Sequence, residues 1–86
     1  MIEFDPKKAA ANLKKHGVAF ADAEPVIYDP QALTQDDDEG GEARYVTLGR
    51  DALGRILLVV WTERGDRVRI ISARPATAEE RQAYEG

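Results

Sequence analysis

The sequence predicts an α+β fold: one small domain over residues 1–86, with a twisted antiparallel sheet and helices packed mainly on one face. Three observations lead to this expectation. Helix-forming residues dominate the beginning of the chain, three runs rich in Val, Ile and Leu follow, and a capping pattern opens a last helix.

The first half of the chain predicts a short strand and two helices. Met1–Phe4 is long enough only for an edge strand. Asp5-Pro6 is typical of a helix start, and the alanine-rich segment that follows extends from Lys7 to His16 before Gly17 ends it. Residues 20–28 form the second predicted helix, although its Pro25 is tolerated only in a first turn.

Between the helices and the sheet, residues 31–35 predict a short strand. The acidic, glycine-rich stretch 36–42 is too charged for the interior of an element and is expected to be a loop.

The second half predicts an antiparallel meander and a final helix. Its strands are Arg44–Arg50, Arg55–Glu63 and Arg67–Arg74, and Gly65-Asp66 is a two-residue hairpin signal between the last two. Thr77 followed by Glu80 forms a capping box, which opens a helix through Tyr84.

Composition excludes several kinds of chemistry. The chain has no cysteine and one histidine, which rules out disulfides, thiolate nucleophiles and multi-histidine zinc sites, and we expect no cofactor. No apolar run approaches the ~20 residues of a membrane span and the N-terminus lacks a signal-peptide pattern, so we expect a cytoplasmic protein.

Charge is unevenly distributed along the chain. Residues 1–43 carry ten acidic and four basic residues, a net charge of −6, whereas residues 44–86 carry six acidic residues and eight arginines, a net charge of +2. The second half of the chain, which carries the arginines, can therefore bind anionic ligands or partners although the whole chain has a net charge of −4.

The hairpin signal places arginines together on one sheet face. If Gly65-Asp66 is the turn, Arg64 faces Arg67 and Thr62 faces Arg69, and Leu58, Val60 and Ile71 continue that face as core. Such a cluster suits phosphate or a partner's carboxylates. A solvated sheet end, or pairing with the acidic loop, is the alternative, and a one-residue slip would move the arginines to the other face.

Other polar residues suggest RNA cleavage without a metal. Glu42 precedes Arg44 at the start of one strand, and Arg74 ends another, so a general base and phosphate-binding cations would share a sheet edge. Lys15-His16 offers a phosphate contact and a proton donor. Surface ion pairs and a helix-capping histidine are the alternatives.

The chain resembles, nearly from end to end, the BrnT family of bacterial toxins from type II toxin–antitoxin systems. In the first half the resemblance lies in Phe4-Asp5-Pro6-Lys7 and the run from Asn12 to Phe20. In the second half it lies in these segments: Gly41-Glu42-Ala43-Arg44, Leu48-Gly49, Arg69-Ile70-Ile71-Ser72-Ala73-Arg74, and the tail from Ala76-Thr77-Ala78-Glu79-Glu80-Arg81 through Tyr84.

This resemblance implies a fold like that of the RelE toxins and a ribonuclease activity that arrests translation. It also implies a ribbon-helix-helix antitoxin that neutralises the toxin in a hetero-oligomer and mediates any contact with operator DNA. The positions that match the family pattern are Lys15, His16, Glu42, Arg44, Arg69 and Arg74. Among the candidates, we expect Glu42, His16, Arg44 and Arg74 to act in catalysis and Lys15, Arg64, Arg67 and Arg69 to bind RNA.

Two other functions stay open at this point. A catalytically inactive module that binds an antitoxin and contributes to operon autoregulation would show the same arginine clustering. A small-molecule binder is disfavoured, because the pattern predicts no concave apolar pocket beyond the core.

Overall fold

A computed structural model describes residues 2–37 and 43–86, and its elements confirm the α+β class. Within these residues it contains five strands and three helices. In chain order they are β1 (Ile2–Glu3), α1 (Pro6–His16), α2 (Phe20–Tyr28), β2 (Leu33–Asp37), β3 (Arg44–Arg50), β4 (Ile56–Arg64), β5 (Arg67–Pro75) and α3 (Ala78–Glu85).

The described strands form one sheet in the order β1-β5-β4-β3-β2. The pairs β2–β3, β3–β4 and β4–β5 are antiparallel, as expected, but β1 runs parallel to β5, with Ile2 opposite Val68 and Glu3 opposite Arg69. The sheet is therefore mixed rather than wholly antiparallel. The chain between β1 and β5 contains the other three strands and two helices, a connection long enough for a parallel partner.

The hairpin register is confirmed. Arg64 pairs with Arg67 and Thr62 with Arg69, and Gly65 has a φ of 64° at the first turn position, as a type II′ turn requires. Beyond that point β5 contains a bulge: Trp61 pairs with Ile70, whereas Val60 pairs with Ser72. Because of the extra residue, Ile71, the side chains that follow it in β5 point to the opposite faces from those expected in a regular strand.

The core lies on the face of the sheet that α1 and α2 cover. Its buried residues come from the chain around α2 and from β4 and β5: Val18, Phe20, Ala23, Val26, Leu57, Val59, Ile70 and Ala73. Leu58, Val60 and Ile71 were expected to be core, but all three are only half-buried. Leu58 and Val60 lie on the opposite face, and Ile71 is the extra residue of the bulge. We call this opposite face the outer face.

Two local expectations were wrong. Pro25 is the sixth residue of α2, beyond its first turn, and the helix continues through it because Phe20, Ala23 and Val26 are buried against the sheet. The acidic stretch begins in a strand: Asp36 and Asp37 end β2. Residues 38–42 lie outside the described part of the chain.

The last helix, α3, lies on the outer face, across from α1 and α2. Its Glu80 and Ala83 line a groove of about 210 Å³ with Leu48 and Leu58. The Tyr84 hydroxyl donates to a carboxylate oxygen of Asp29, which lowers the pKa of Asp29 and raises that of Tyr84.

None of the helices in the described segments has the length and apolar character needed to cross a membrane.

Candidate functional site

The bulge in β5 brings three polar side chains to the outer face. Arg69 pairs with Thr62 and Ser72 with Val60, and Thr62 and Val60 share one face of the regular strand β4. Arg74, two residues after Ser72, lies on that face too. In an uninterrupted strand, Arg69 and Arg74 are five residues apart and would point to opposite faces; the extra residue Ile71 places them on the same one.

Lys15 and His16 border the same strand from the sheet edge. With Ile71 and Ser72 they line an open depression of about 230 Å³ between the last turns of α1 and β5. Lys15 is exposed and His16 half-buried. Ser72 therefore belongs to the depression and lies between Arg69 and Arg74 along β5. The structure thus groups Lys15 and His16 with this part of the arginine-bearing strand.

Asn12 holds α1 against this edge, a role that sequence reasoning missed. The side-chain amide is buried, donates to the carbonyl of Ala73 (2.8 Å) and accepts from the Ala73 N–H (3.1 Å), as a neighbouring strand would. It also donates to the carbonyl of Val18 (3.0 Å). The two-residue β1 does not reach Ala73, so Asn12 satisfies the backbone there and fixes Lys15 and His16, one turn later, beside β5.

Arg74 already has a carboxylate partner. Its guanidinium donates two hydrogen bonds to Glu80, of 2.8 and 2.9 Å. Glu80 also forms the predicted capping box with Thr77 at the start of α3. The hydrogen bonds from Arg74 lower the pKa of Glu80 to about 2, and those from Thr77 act in the same direction. The pair raises the pKa of Arg74. One side of the guanidinium therefore faces protein, and its side chain is 35% exposed.

The hairpin arginines differ in their partners. Arg67 and Arg69 lie 3.5 and 3.3 Å from the carboxylate oxygens of Glu3 in β1. Arg64 is exposed, and its side chain makes no ion pair or hydrogen bond with any residue in the described segments. The three guanidinium groups thus lie at one end of the outer face, where Arg67 and Arg69 share the carboxylate of Glu3.

Arg44 lies on the outer face at the start of β3, 3.7 Å from Asp37. The next residue across the sheet is Thr62, whose hydroxyl donates to the Ala43 carbonyl. Arg44 is therefore at the arginine-bearing end but two strands from Arg69. Glu42, the predicted base, lies outside the described residues. Among residues 2–37 and 43–86, no cluster of His, Asp and Glu has the arrangement of a metal site.

The protein is a small α+β protein with a cationic sheet surface. Its mixed five-stranded sheet has two helices on one face, and arginines and a third helix on the other. Residues 4–80 match the family model of the BrnT ribonuclease toxin of type II toxin–antitoxin systems. The chain therefore belongs to the BrnT family, as its resemblance had predicted.

A solved structure supports this assignment. The crystal structure of the Brucella abortus ribonuclease toxin BrnT, at 1.1 Å resolution, is similar to this chain with a TM-score of 0.73 and 26% sequence identity. The match covers 88% of this chain and 95% of the other. The comparison with curated proteins gave no match.

Proposed function

We propose that this protein is a metal-independent endoribonuclease that arrests translation in the cytoplasm. The observation that carries the proposal is the bulge in β5, which places Arg69, Ser72 and Arg74 on one face. Ser72 also lines the depression that contains Lys15 and His16. Family membership supports the ribonuclease class.

RNA supplies its own nucleophile for this reaction. The 2′-oxygen loses its proton and bonds to the adjacent phosphorus, the bond from phosphorus to the 5′-oxygen breaks, and that oxygen takes up a proton. The enzyme needs proton-transfer groups and cations at the phosphate, and these act without a metal. Arg69, Arg74 and Lys15 are the cations of the proposed site, with Arg64, Arg67 and Arg44 along the strand path.

For proton transfer we propose His16 or Glu42. Histidine is the side chain whose ordinary protonation equilibrium lies near neutral pH, and His16 borders the depression at β5. Glu42 immediately precedes the described segment that contains Arg44. The pH–rate profiles of His16 and Glu42 variants distinguish the residue that removes the 2′-proton from the residue that protonates the 5′-oxygen.

Regulation would come from an antitoxin. Membership in a type II toxin–antitoxin family implies such a partner. We propose that it is a ribbon-helix-helix protein, that it forms a hetero-oligomer with the toxin, and that operator DNA is bound only through it.

The test is RNA cleavage by the purified chain, freed of antitoxin, with and without a metal chelator. We expect cleavage in both conditions and a loss of roughly tenfold or more in rate for Arg69→Gln, because a phosphate contact is removed. Lys7→Gln, an equal charge change at an exposed position on α1, is the matched control. Absence of cleavage by the folded wild-type protein, or a chelator-sensitive rate, contradicts the proposal.

A second candidate is supported by the ion pairs. Arg67, Arg69 and Arg74 all have carboxylate partners within the chain, as expected of an interaction module that no longer binds RNA. This candidate predicts that antitoxin binding persists while RNA cleavage is absent from the wild-type protein and every variant.

A further inference from the structure

A second cationic site lies at the end of the molecule away from the hairpin. A cavity of about 390 Å³ opens where the β3–β4 turn, the end of β5 and α3 meet. Eight residues line it, of which three are arginines and one is a glutamate: Arg50, Gly54, Arg55, Ile56, Pro75, Ala76, Arg81 and Glu85. Its lining therefore carries two more positive than negative charges.

The three guanidinium groups are not equally engaged. Arg81 is exposed and makes no ion pair or side-chain hydrogen bond with the described residues. Arg50 donates to the Gly54 carbonyl (2.8 Å) and lies over the ring of Tyr84, 5.8 Å from its centroid. Its charge contributes to the lowered pKa of Asp29, but the Arg50 and Asp29 side chains form no ion pair. Two of the three cations can thus accept an anion without losing an ion pair.

The third arginine, Arg55, is part of the wall that shapes the cavity. Its guanidinium is paired with Asp51, which is buried, at 2.8 Å, and donates to the carbonyl of Gly17 (3.2 Å). Asp51 also accepts from the backbone N–H groups of Leu53 and Arg55. The turn is therefore held in one conformation, so the cavity is preorganised rather than assembled by its ligand.

The cavity is continuous with the proposed catalytic strand. Pro75 and Ala76 line it and follow Arg74 directly, and the Arg74 guanidinium donates to the Pro75 carbonyl (3.1 Å). If one charged group of a polyanion is bound at Arg74, the next charged groups along the polyanion would therefore reach the cavity. Regularly spaced phosphates along one chain match this succession of cations better than a single small anion does.

We propose that Arg50 and Arg81 bind a backbone phosphate of the RNA strand in this cavity, as a subsite next to Arg74. This inference rests on the proposed ribonuclease function. It extends that function by proposing that the bound RNA strand runs from β5 toward α3. Arg81 is the residue to vary, because its side chain makes no ion pair or hydrogen bond with the described residues of the free protein.

The experiment measures the affinity of an RNA of about ten nucleotides with 2′-O-methyl groups, which removes the nucleophile, at roughly 50 to 200 mM salt. We expect Arg81→Gln to weaken binding about three- to tenfold and to reduce the salt slope by about 0.7, the loss of one phosphate contact on a single strand. Arg81→Lys should retain most of the affinity, and Lys7→Gln should match the wild type. Cleavage of unmodified RNA is measured on the same preparations.

The outcomes separate the two proposals. Equal affinity and salt slope for Arg81→Gln and Lys7→Gln, in a protein that cleaves RNA, overturns the subsite alone. The same result with weakened antitoxin binding by Arg81→Gln assigns the cavity to an acidic segment of the partner and also overturns it. A folded wild-type protein that neither binds nor cleaves RNA contradicts both proposals.

Discussion

Arg74 and Glu80 join the proposed catalytic strand to the last helix through two parallel hydrogen bonds of 2.8 and 2.9 Å. The same carboxylate accepts from the backbone of Thr77, so one side chain caps α3 and holds the arginine. If RNA binds Arg74 as we propose, it must share or displace this partner. The pair is a structural contact and, in the proposed function, a competitor of the substrate.

Glu80→Gln should destabilise the fold by about 1 kcal/mol at neutral pH, because the pair is partly solvated. The folded protein holds the pKa of Glu80 at about 2, below its value in an unfolded chain. This contribution to stability is therefore complete above the unfolded pKa, in the range near 4 to 5, and is lost as the pH falls toward 2. Urea unfolding at several pH values measures it.

Glu79→Gln is the matched control for this change. Glu79 is the preceding residue of α3, is exposed and has no side-chain contact among the described residues. We expect a difference in stability between the two variants at pH 7 and none near pH 2. Equal stability at both pH values would show that the Arg74–Glu80 pair contributes nothing.

Glu3→Gln should strengthen RNA binding severalfold at low salt. Its carboxylate lies 3.3 Å from Arg69 and 3.5 Å from Arg67, so its removal frees two cations on the proposed RNA path. The measurement is RNA affinity against salt concentration, with Glu79→Gln again as the equal charge change. Similar gains in the two variants would mean that total charge, and not the Glu3 contact, sets the affinity.

Asn12→Ala should lower the free energy of unfolding by about 2 to 4 kcal/mol. The substitution leaves the backbone N–H and carbonyl of Ala73 and the carbonyl of Val18 without their partner in a buried position. Lys14→Ala, at an exposed position of the same helix, should change stability by less than about 0.5 kcal/mol. Chemical denaturation of both variants tests the difference, and an equal effect would contradict the bridging role of Asn12.

Gly49→Ala should destabilise the protein by about 1 to 3 kcal/mol through crowding. A Cβ at this position would lie 2.9 Å from the backbone oxygen of Val26 and 3.2 Å from its side chain, so α2 would have to move away from β3. The comparison is Gly65→Ala, where open space leaves only the strain of a φ of 64°. If Gly49→Ala unfolds at the same midpoint temperature as the wild type, the close approach of α2 to β3 at Gly49 is contradicted.

The sequence was sufficient for most elements and for the hairpin. Gly65-Asp66 is a local signal, and it correctly placed Arg64 opposite Arg67 and Thr62 opposite Arg69. The capping box of Thr77 and Glu80 is also local and was confirmed. Such patterns can be read from a few adjacent residues because the interactions that cause them span only a turn.

What the sequence did not reveal depends on contacts between distant segments. Ile71 gives no sign of a bulge, because an apolar residue suits either a regular or a bulged strand, so the shared face of Arg69 and Arg74 was not predicted. The strand at Ile2 is too short to indicate a parallel partner. Asn12 was noticed only as part of the family pattern, since a polar residue in a helix usually faces solvent.

The most direct test of the proposed toxin activity is to measure protein synthesis in bacteria after induced expression of this chain alone, beside Arg74→Ala and the control Lys7→Ala. We expect arrest by the wild type and by Lys7→Ala, and continued synthesis with Arg74→Ala present as soluble, folded protein. Arrest by Arg74→Ala would exclude Arg74 from the site. Continued synthesis in the presence of soluble, folded wild-type protein would contradict the proposed toxin activity.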